Sequence, residues 1–279
     1  MRKGVSLRPK RVNQRDEATE MNPELQRRWE RLLGEADKLL PYYLEATAGI
    51  SHATKGIRRS ELFFFYAITA PLQPTRIIES GRARAQSTLV LARLFPETPI
   101  VSLESDADSA DVGMAAERLR DCTNVDARFG DSLVLLPALV GPGDVVLIDG
   151  PKDLRAMKLA LRLLASNRPA AVFVHDLWLG SAVRRFIDRH LPQALLSDNP
   201  NWVEHYARLD SSKPVPVATA TERRAYGATL GGFETGLADY RLPFWQCLPA
   251  QGADRLASTA RKVLRRSPPV RPPDFEVVL

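Results

Sequence analysis

The sequence predicts an α/β protein built on a doubly wound, mostly parallel sheet, and three observations lead to that prediction. The 279-residue chain is 44% hydrophobic and 26% charged, as expected for a globular protein with a large core. Between residues 75 and 190, five short runs rich in isoleucine and valine alternate with five helix-length stretches. Most of these runs have a continuous apolar stretch and end in polar residues, which is typical of strands that helices cover on both faces.

The alternating segments define the predicted sheet and its helices. The strands are Arg76–Glu79, Ile100–Glu104, Val125–Phe129, Val145–Asp149 and Ala171–His175. The helices are Gln86–Phe95, Asp108–Cys122, Ser132–Val140, Asp153–Asn167 and Ser181–His190. Such repetition places the carboxyl ends of all five strands at one edge, which is where open α/β sheets bind ligands.

The flanking regions carry helical signals before the sheet and weaker signals after it. Apolar residues recur every three to four positions from Pro23 to Leu40, and a second helix is predicted for Ser60–Ala70. Asn201–Leu209 and Tyr226–Leu230 are interpreted as late antiparallel strands. The stretch Gly231–Trp245 has no clear period.

These patterns divide the chain into five parts. We expect a basic arm over residues 1–20, a helical cap over 21–72, a ligand-binding α/β domain over 73–210, an extension over 211–264 that completes the sheet and a ligand pocket, and a proline-rich tail over 265–279. The net charge of +6 comes from basic residues within the first 15 positions, and the rest of the chain is balanced. We therefore expect no nucleic-acid binding by the body of the protein.

Cysteine content and hydropathy bear on the compartment. Cys122 and Cys247 form neither a disulfide framework nor a zinc-type spacing, which fits a reducing cytoplasm. The longest apolar stretch, Leu62–Leu72, is shorter than the ~20 residues of a membrane-spanning helix. No apolar signal core follows the basic N-terminal residues. We expect a cytoplasmic protein without a membrane span.

The first strand-to-helix junction is a candidate ligand site. A turn at Gly81 directs backbone N–H groups and the positive end of the following helix toward a ligand, and Glu79 can neutralise an ammonium group there. Alanine stands at positions 83 and 85, so the G-x-G-x-x-G pattern of pyrophosphate sites is not preserved. An ordinary crossover turn is the alternative interpretation.

A resemblance to a known family rests on five segments: IIESGRARAQSTLVLARLF, VSLESD, FGDSLVLLPAL, VVLIDGPKD and VFVHD. In order and spacing they resemble the consecutive motifs of class I S-adenosylmethionine-dependent methyltransferases, in particular small-molecule O-methyltransferases of the catechol O-methyltransferase type. The resemblance covers residues 75–190. It implies a Rossmann-like methyltransferase sheet with an N-terminal helical cap and a C-terminal extension, S-adenosylmethionine as cofactor and a small-molecule or sugar-like acceptor.

The resemblance also implies where the methionine part of the cofactor binds. Glu79 and Gly81 would lie beside it, and Ser87 would cap the helix beneath it. Alanine at position 85, where the family usually has glycine, adds a methyl group near the cofactor.

The nucleoside part would contact the ends of the second and third strands. Glu104 would hold the ribose hydroxyls, and its place about 20 residues after the glycine turn independently favours this role. Asp131 and Ser132 would border the adenine, and Asp149 is counted among the cofactor-binding residues.

The fourth and fifth strands would carry the chemistry. In metal-dependent members of the family, the acid matching Asp149 binds magnesium and the lysine matching Lys152 removes the proton of the attacking hydroxyl. A lysine so close to a cation site is expected to have its pKa lowered toward neutral by charge and desolvation. An ordinary turn lysine is the alternative.

His175 and Asp176 depart from the Asp-Asn pair that these enzymes typically use as further metal ligands. Asp176 remains an oxygen ligand, whereas an imidazole at His175 suits manganese, iron or zinc better than magnesium. Two mechanisms therefore stay open: Asp149, Asp176 and His175 hold a divalent metal such as Mg or Mn while Lys152 is the base, or His175 acts on the acceptor without a metal.

Three functions are compatible with these patterns. The first is methyl transfer from S-adenosylmethionine to an oxygen of a small acceptor, and the second is transfer to a protein side chain or a nitrogen. The third is a catalytically silent binding module with the same fold. A homo-oligomer is compatible with each of them.

Overall fold

A computed structural model describes residues 22–51, 56–210 and 229–241, together with the single positions 249, 252 and 256. The predicted basic arm, the proline-rich tail and most of the predicted extension over 211–264 lie outside the described residues. None of the helices in the described ranges has both the length and the apolar character needed to cross a membrane.

The described strands form one seven-stranded sheet. They are β1 (Arg76–Ser80), β2 (Ile100–Glu104), β3 (Val125–Phe129), β4 (Asp144–Ile148), β5 (Ala171–Val174), β6 (Leu195–Leu196) and β7 (Gly231–Glu234). Their spatial order is β3-β2-β1-β4-β5-β7-β6, with β1 to β5 parallel and β7 antiparallel to both β5 and β6. The strand order reverses beside β1, as in a doubly wound sheet, and the predicted fold class is confirmed.

The described helices pack on both faces of this sheet. They are α1 (Pro23–Ala46), α2 (Arg59–Thr69), α3 (Gln86–Leu94), α4 (Val112–Leu119), α5 (Ser132–Leu139), α6 (Asp153–Ser166), α7 (Ala182–His190) and α8 (Pro200–Tyr206), with 3-10 turns at Ala70–Leu72 and Ala207–Asp210. The predicted strands and helices of the alternating region match these bounds to within one residue, except that α4 is shorter than Asp108–Cys122.

Alternating side chains of the central strands build two hydrophobic clusters, one on each face. Ile77, Leu147 and Phe173 point to the face that α1, α2, α3 and α8 cover. Ile78 and Val146 point to the opposite face, against α5, α6 and α7. Both faces of the sheet are therefore covered, which explains why its strands have continuous apolar sequences.

The predicted strand Asn201–Leu209 is wrong, because this segment contains α8. The Asn199 side chain accepts a hydrogen bond from the Asn201 N–H (3.0 Å), and Pro200 is the first helical residue, which together start a helix. Trp202 and Tyr206 lie four residues apart and pack together with ring centroids 4.4 Å apart. Aromatic residues favour strands by propensity, but their four-residue spacing here places them on one face of a helix.

The seventh strand lies in a stretch for which no period is predicted. Residues 226–228 of the predicted strand Tyr226–Leu230 lie outside the described residues, and β7 begins directly after it at Gly231. A Cβ atom at Gly231 would come within 2.6 Å of Leu177 Cδ1 and 3.0 Å of Leu196 Cδ2. Glycine is needed at position 231 because neighbouring side chains approach the backbone. Since glycine has no side chain, the sequence of β7 lacks the apolar alternation by which strands are predicted.

The first turn of α2 is hydrogen-bonded to α1, to α8 and to the 3-10 turn Ala207–Asp210. The Tyr43 hydroxyl of α1 donates to the Arg59 carbonyl (2.7 Å), and the Trp202 indole N–H donates to the Ser60 carbonyl (3.3 Å). The Ser60 backbone N–H and hydroxyl both donate to the Asp210 carboxylate, at 3.0 and 2.5 Å. These contacts fix where the start of α2 meets the carboxyl ends of the strands.

We predict that Trp202→Ala lowers the free energy of unfolding by about 3–5 kcal/mol, because the fully buried ring contacts Phe63, Phe64 and Tyr206. Chemical denaturation measures the change. Glu204→Ala on the exposed face of the same helix should stay within about 0.5 kcal/mol of the parent protein. Equal effects of both variants would show that α8 does not belong to the core.

Candidate functional site

The turn after β1 brings two backbone segments into close contact. Gly81 has φ +89°, and a Cβ atom there would lie 2.9 Å from both the Asp149 carbonyl carbon and the Gly150 nitrogen. The Ser80 carbonyl accepts hydrogen bonds from the Asp149 N–H (2.9 Å) and the Gly150 N–H (3.2 Å). The end of β1 and the end of β4 thus form one continuous surface at the carboxyl edge, and only glycine fits at position 81.

Glu79 is fully buried beneath this turn. Its carboxylate accepts hydrogen bonds from the hydroxyls of Ser87, Thr88 and Ser102, the last at 2.8 Å. Burial raises the pKa of Glu79, and the three hydroxyls oppose that rise. The observed role of Glu79 is to join β1, α3 and β2, and its predicted contact with a cofactor stays a prediction.

Ser87 does not cap α3, because the residue that precedes the first helical position is Ala85. Ser87 is the second residue of the helix, and its hydroxyl is used on Glu79. The predicted capping role is therefore wrong, and the predicted place of Ser87 beneath a cofactor stays a prediction.

Glu104 is held at the edge of the turn. Its Oε1 accepts from the backbone N–H groups of Ser105 (2.8 Å) and Asp106 (3.2 Å), and its Oε2 accepts from the Ala83 N–H (2.8 Å). Among the described residues, Oε2 accepts only that one bond. A carboxylate oxygen has about two acceptor positions, so Glu104 keeps room for a hydroxyl donor.

Asp131 and Ser132 begin α5 beside the same edge. The exposed Asp131 side chain caps the helix by accepting from the Leu133 N–H (2.8 Å). The Ser132 hydroxyl donates to the Gly150 carbonyl (3.1 Å), which ties the start of α5 to the turn after β4. Of these two residues, Ser132 is the one whose side chain contacts the turn after β4.

An acid–base cluster follows β4 and β5. Lys152 Nζ lies 2.5 Å from Asp149 Oδ1 and 2.6 Å from Asp176 Oδ2, so the ammonium group bridges two carboxylates. Asp176 adopts φ +65°, a left-handed conformation that aspartate tolerates better than most residues. The predicted residues of the fourth and fifth strands are therefore brought together.

His175 is buried behind this pair and has an acidic partner on each ring nitrogen. Nδ1 lies 2.7 Å from Asp149 Oδ1, and Nε2 lies 3.3 Å from Glu61 Oε2 on the cap helix α2. Burial alone would lower the pKa of His175, but Asp149 and Glu61 outweigh it and raise the pKa to about 10. The raised pKa favours the imidazolium form of His175, in which both ring nitrogens donate.

The electrostatics of Lys152 and Asp149 follow from the same contacts. Burial alone would lower the pKa of Lys152, but Asp149 and Asp176 outweigh it and raise the pKa above its usual value. The predicted lowering toward neutral is wrong for this arrangement, because the lysine faces carboxylates rather than a cation. Burial would likewise raise the pKa of Asp149, but His175 and Lys152 reverse the shift and lower it.

The described cluster does not fit a resident divalent metal as it is arranged. Ligand atoms of Asp149, His175 and Asp176 lie within 4.8 Å of one another, a spacing that a metal site also has. Both nitrogens of His175, however, point to carboxylate oxygens, so neither offers a lone pair. The Lys152 ammonium already bridges Asp149 and Asp176, as a cation between them would.

Glu61 is the site residue that sequence reasoning missed. It is the one acid in the apolar run SELFFFYAIT, and in the structure it is only 1% exposed. An acid isolated within an apolar run was the available signal, but nothing in the sequence connects residue 61 with residue 175. Only the packing of α2 against the strand ends reveals the contact.

Comparisons with known proteins give structural likeness alone. No protein-family model matches the chain, and no curated protein matches it. Similar solved structures include the O-methyltransferase TomG from Streptomyces achromogenes in complex with SAM, at 21% identity over 74% of this chain and 90% of that chain, with a TM-score of 0.42. Cofactor-bound Rv0187 from MTB has 21% identity, coverage of 75% and 95%, and a TM-score of 0.43. The O-methyltransferase from Bacillus cereus in complex with SAH has 18% identity, coverage of 72% and 90%, and a TM-score of 0.41. Likeness at this level does not establish an activity for this chain.

The turn yields a prediction about backbone conformation. Ala83 is exposed and has φ +42°, so Ala83→Gly should relieve about 1–2 kcal/mol of backbone strain in the folded state. Glycine also raises the conformational entropy of the unfolded chain, which lowers the free energy of unfolding by about 0.4–1 kcal/mol. We expect the free energy of unfolding to increase by roughly 0.5–1 kcal/mol. Gly81→Ala should instead lower it by about 1–3 kcal/mol, because its Cβ overlaps the backbone after β4. Urea denaturation distinguishes the two, and a stable Gly81→Ala protein would contradict the close contact.

Proposed function

We propose that this protein is an S-adenosylmethionine-dependent methyltransferase that methylates an oxygen of a small-molecule acceptor. The observation that carries the proposal is the shared border of two sites at one sheet edge. The glycine turn with Glu104 suits a nucleoside, and the Asp149–Lys152–Asp176 cluster suits a hydroxyl group. Gly81 and Gly150 are in direct backbone contact, so the two sites adjoin.

The first site supports a cofactor with a ribose and without a pyrophosphate. Glu104 Oε2 has an acceptor position for a ribose hydroxyl among the described residues. Asp131 and Ser132 follow Gly130, whose N–H donates to the Glu104 carbonyl (2.8 Å), and this proximity supports their predicted place beside the adenine. Alanines at positions 83 and 85 in the left-handed region keep the shape of the turn without its glycines. When bound, S-adenosylmethionine supplies a sulfonium methyl group for an in-line displacement.

The second site supports an oxygen acceptor. Lys152 offers a partly exposed ammonium group that can donate to the acceptor oxygen and stabilise negative charge on it. Asp176 Oδ1 accepts no hydrogen bond from the described side chains and can receive the hydroxyl proton. Lys152 would lower the pKa of the acceptor hydroxyl, and the proton that leaves this oxygen would pass to Asp176 Oδ1.

Neither cationic residue is assigned the role of base at neutral pH. The pKa of Lys152 is raised by two carboxylates, and the pKa of His175 is raised to about 10. We therefore keep a metal-free route, in which Lys152 acts by its charge and His175 holds Asp149. A protein or nitrogen acceptor is the alternative within the same fold, and a silent binding module is the alternative outside catalysis.

For the cofactor, we predict that Glu104→Ala weakens S-adenosylhomocysteine binding by about 1.5–3 kcal/mol, or roughly tenfold to a hundredfold, because a charged acceptor of ribose hydroxyls is lost. Isothermal titration calorimetry gives the dissociation constant. Asp126→Ala removes an exposed acid from β3 and should leave it unchanged. An unchanged dissociation constant for Glu104→Ala would contradict the assignment of Glu104 to the ribose. Failure of the parent protein to bind S-adenosylhomocysteine would contradict the proposed cofactor.

For the chemistry, we predict that Lys152→Ala slows methyl transfer by about 100-fold or more, in the range seen when one donor to a developing oxyanion is removed. The loss should be smaller with 4-nitrocatechol than with catechol, because a more acidic hydroxyl depends less on the ammonium. Release of S-adenosylhomocysteine measures the rate, and Arg155→Ala on the exposed face of α6 is the control.

Chelator treatment completes that experiment. The metal-free route predicts the same rate with and without EDTA. Activity that disappears with EDTA and returns with Mn²⁺ would contradict it and restore the divalent-metal mechanism.

A further inference from the structure

Glu61 occupies a position that a helix-forming role does not explain. It is the third residue of α2, and its Oε2 accepts a hydrogen bond from the Arg58 N–H (3.0 Å), which closes the first turn. That function requires no burial, because capping carboxylates work at the protein surface. Glu61 is nevertheless 1% exposed and is followed directly by four residues with no exposed surface, Leu62 to Phe65.

The buried position is energetically unfavourable unless the charge has a partner. Isolated ionised carboxylates are costly to bury, and paired ones are tolerated only with good hydrogen-bond geometry. Glu61 Oε1 has no hydrogen-bond partner within the described part of the chain, and Oε2 carries both available contacts. Burial raises the pKa of Glu61, and the contact with His175 Nε2, 3.3 Å from Oε2, opposes that rise.

The second nitrogen of that imidazolium extends the contact to the reaction site. His175 Nδ1 is 2.7 Å from the same Asp149 oxygen that Lys152 Nζ contacts at 2.5 Å. A line of ionisable groups therefore runs from the cap helix to the site: Glu61, His175, Asp149 and Lys152. Each group lies within 3.3 Å of the next, so their contacts form one connected network in the interior.

We infer that Glu61 is a positioning residue of the cap, which orients the His175 ring so that His175 fixes the Asp149 carboxylate against Lys152. Glu61 acts through His175 and does not touch the reacting atoms. The inference rests on the proposed function only for the identity of the reaction at this site. The positioning itself rests on the described contacts. It assigns the cap helix a direct part in assembling the site.

The test variant is Glu61→Gln, which keeps an oxygen acceptor for the Arg58 N–H and removes the negative charge. NMR of the full-length chain with ¹⁵N-labelled histidine reports the ring N–H protons of His175, assigned by their loss in His175→Asn. The parent protein should give two strongly hydrogen-bonded ring protons, one per nitrogen. In Glu61→Gln the Nδ1–H signal should shift as well as the Nε2–H signal, because reorienting the ring alters its contact with Asp149.

Function is measured on the same proteins. Glu61→Gln should slow methyl transfer to catechol probes by about tenfold or more and leave the S-adenosylhomocysteine dissociation constant within about twofold of the parent value. Asn22→Ala, which removes the side-chain cap of α1 at 2.9 Å from the Glu24 N–H, is the matched control for cap stability. It should lower the melting temperature and leave both the methyl-transfer rate and the S-adenosylhomocysteine dissociation constant unchanged.

The outcomes separate the positioning role from the proposed reaction. An unchanged Nδ1–H signal in Glu61→Gln overturns the positioning role, whatever the protein's activity. A shifted signal with no cofactor binding by the parent protein supports the positioning role and defeats the proposed function. If Glu61→Gln does not fold, the parent spectrum decides, since an Nε2 chemical shift that shows no hydrogen bond, as donor or as acceptor, would contradict the contact with Glu61.

Discussion

One oxygen atom, Asp149 Oδ1, is the point on which the arrangement of the site depends. It lies 2.7 Å from His175 Nδ1 and 2.5 Å from Lys152 Nζ, and so meets two positive charges at once. The parallel sheet makes this possible, because β4 and β5 are neighbours and their ends face the same edge. Backbone hydrogen bonds from the Asp149 and Gly150 N–H groups to the Ser80 carbonyl then fix the position of the turn after β4 relative to the end of β1.

Charge balance at this point determines what each group can do. Two carboxylates contact Lys152 and three lie within 3.7 Å of His175, so the positive forms of both side chains are favoured and neither is a ready proton acceptor. The same pairing makes the buried acids tolerable, since an unpaired charge in this interior would be strongly destabilising. In the proposed function, such a site acts mainly by holding charged groups in fixed positions. Fixed charges of this kind are a large source of oxyanion stabilisation in enzymes.

The sequence was sufficient for the central sheet and for the residues at its edge. The continuous apolar strands and the intervening helices have regular periods, and parallel topology brings Asp149, Lys152 and Asp176 together at one edge. It was insufficient where tertiary contacts override local pattern. The aromatic residues of α8 have strand propensity, but Trp202 and Tyr206 pack as one helical face, and Gly231 of β7 is required by the close approach of Leu177 and Leu196.

Charge states were also beyond the sequence. The pKa of Lys152 depends on whether carboxylates or a cation face it, and the pKa of His175 depends on Glu61, which lies 114 positions earlier in the chain. Residue types at strand ends indicate which chemistry is available, whereas the partners supplied by the cap determine which form each group takes.

The central claim is that a nucleoside cofactor and a metal-free charge cluster share one sheet edge, and a crystal structure tests it most directly. Crystals grown with S-adenosylhomocysteine and soaked in MnCl₂ should show the ribose at Glu104, Lys152 still bridging Asp149 and Asp176, and no anomalous scattering between those carboxylates. A manganese peak between Asp149 and Asp176 with Lys152 displaced, or a turn at Gly81 without bound nucleoside, would contradict the account.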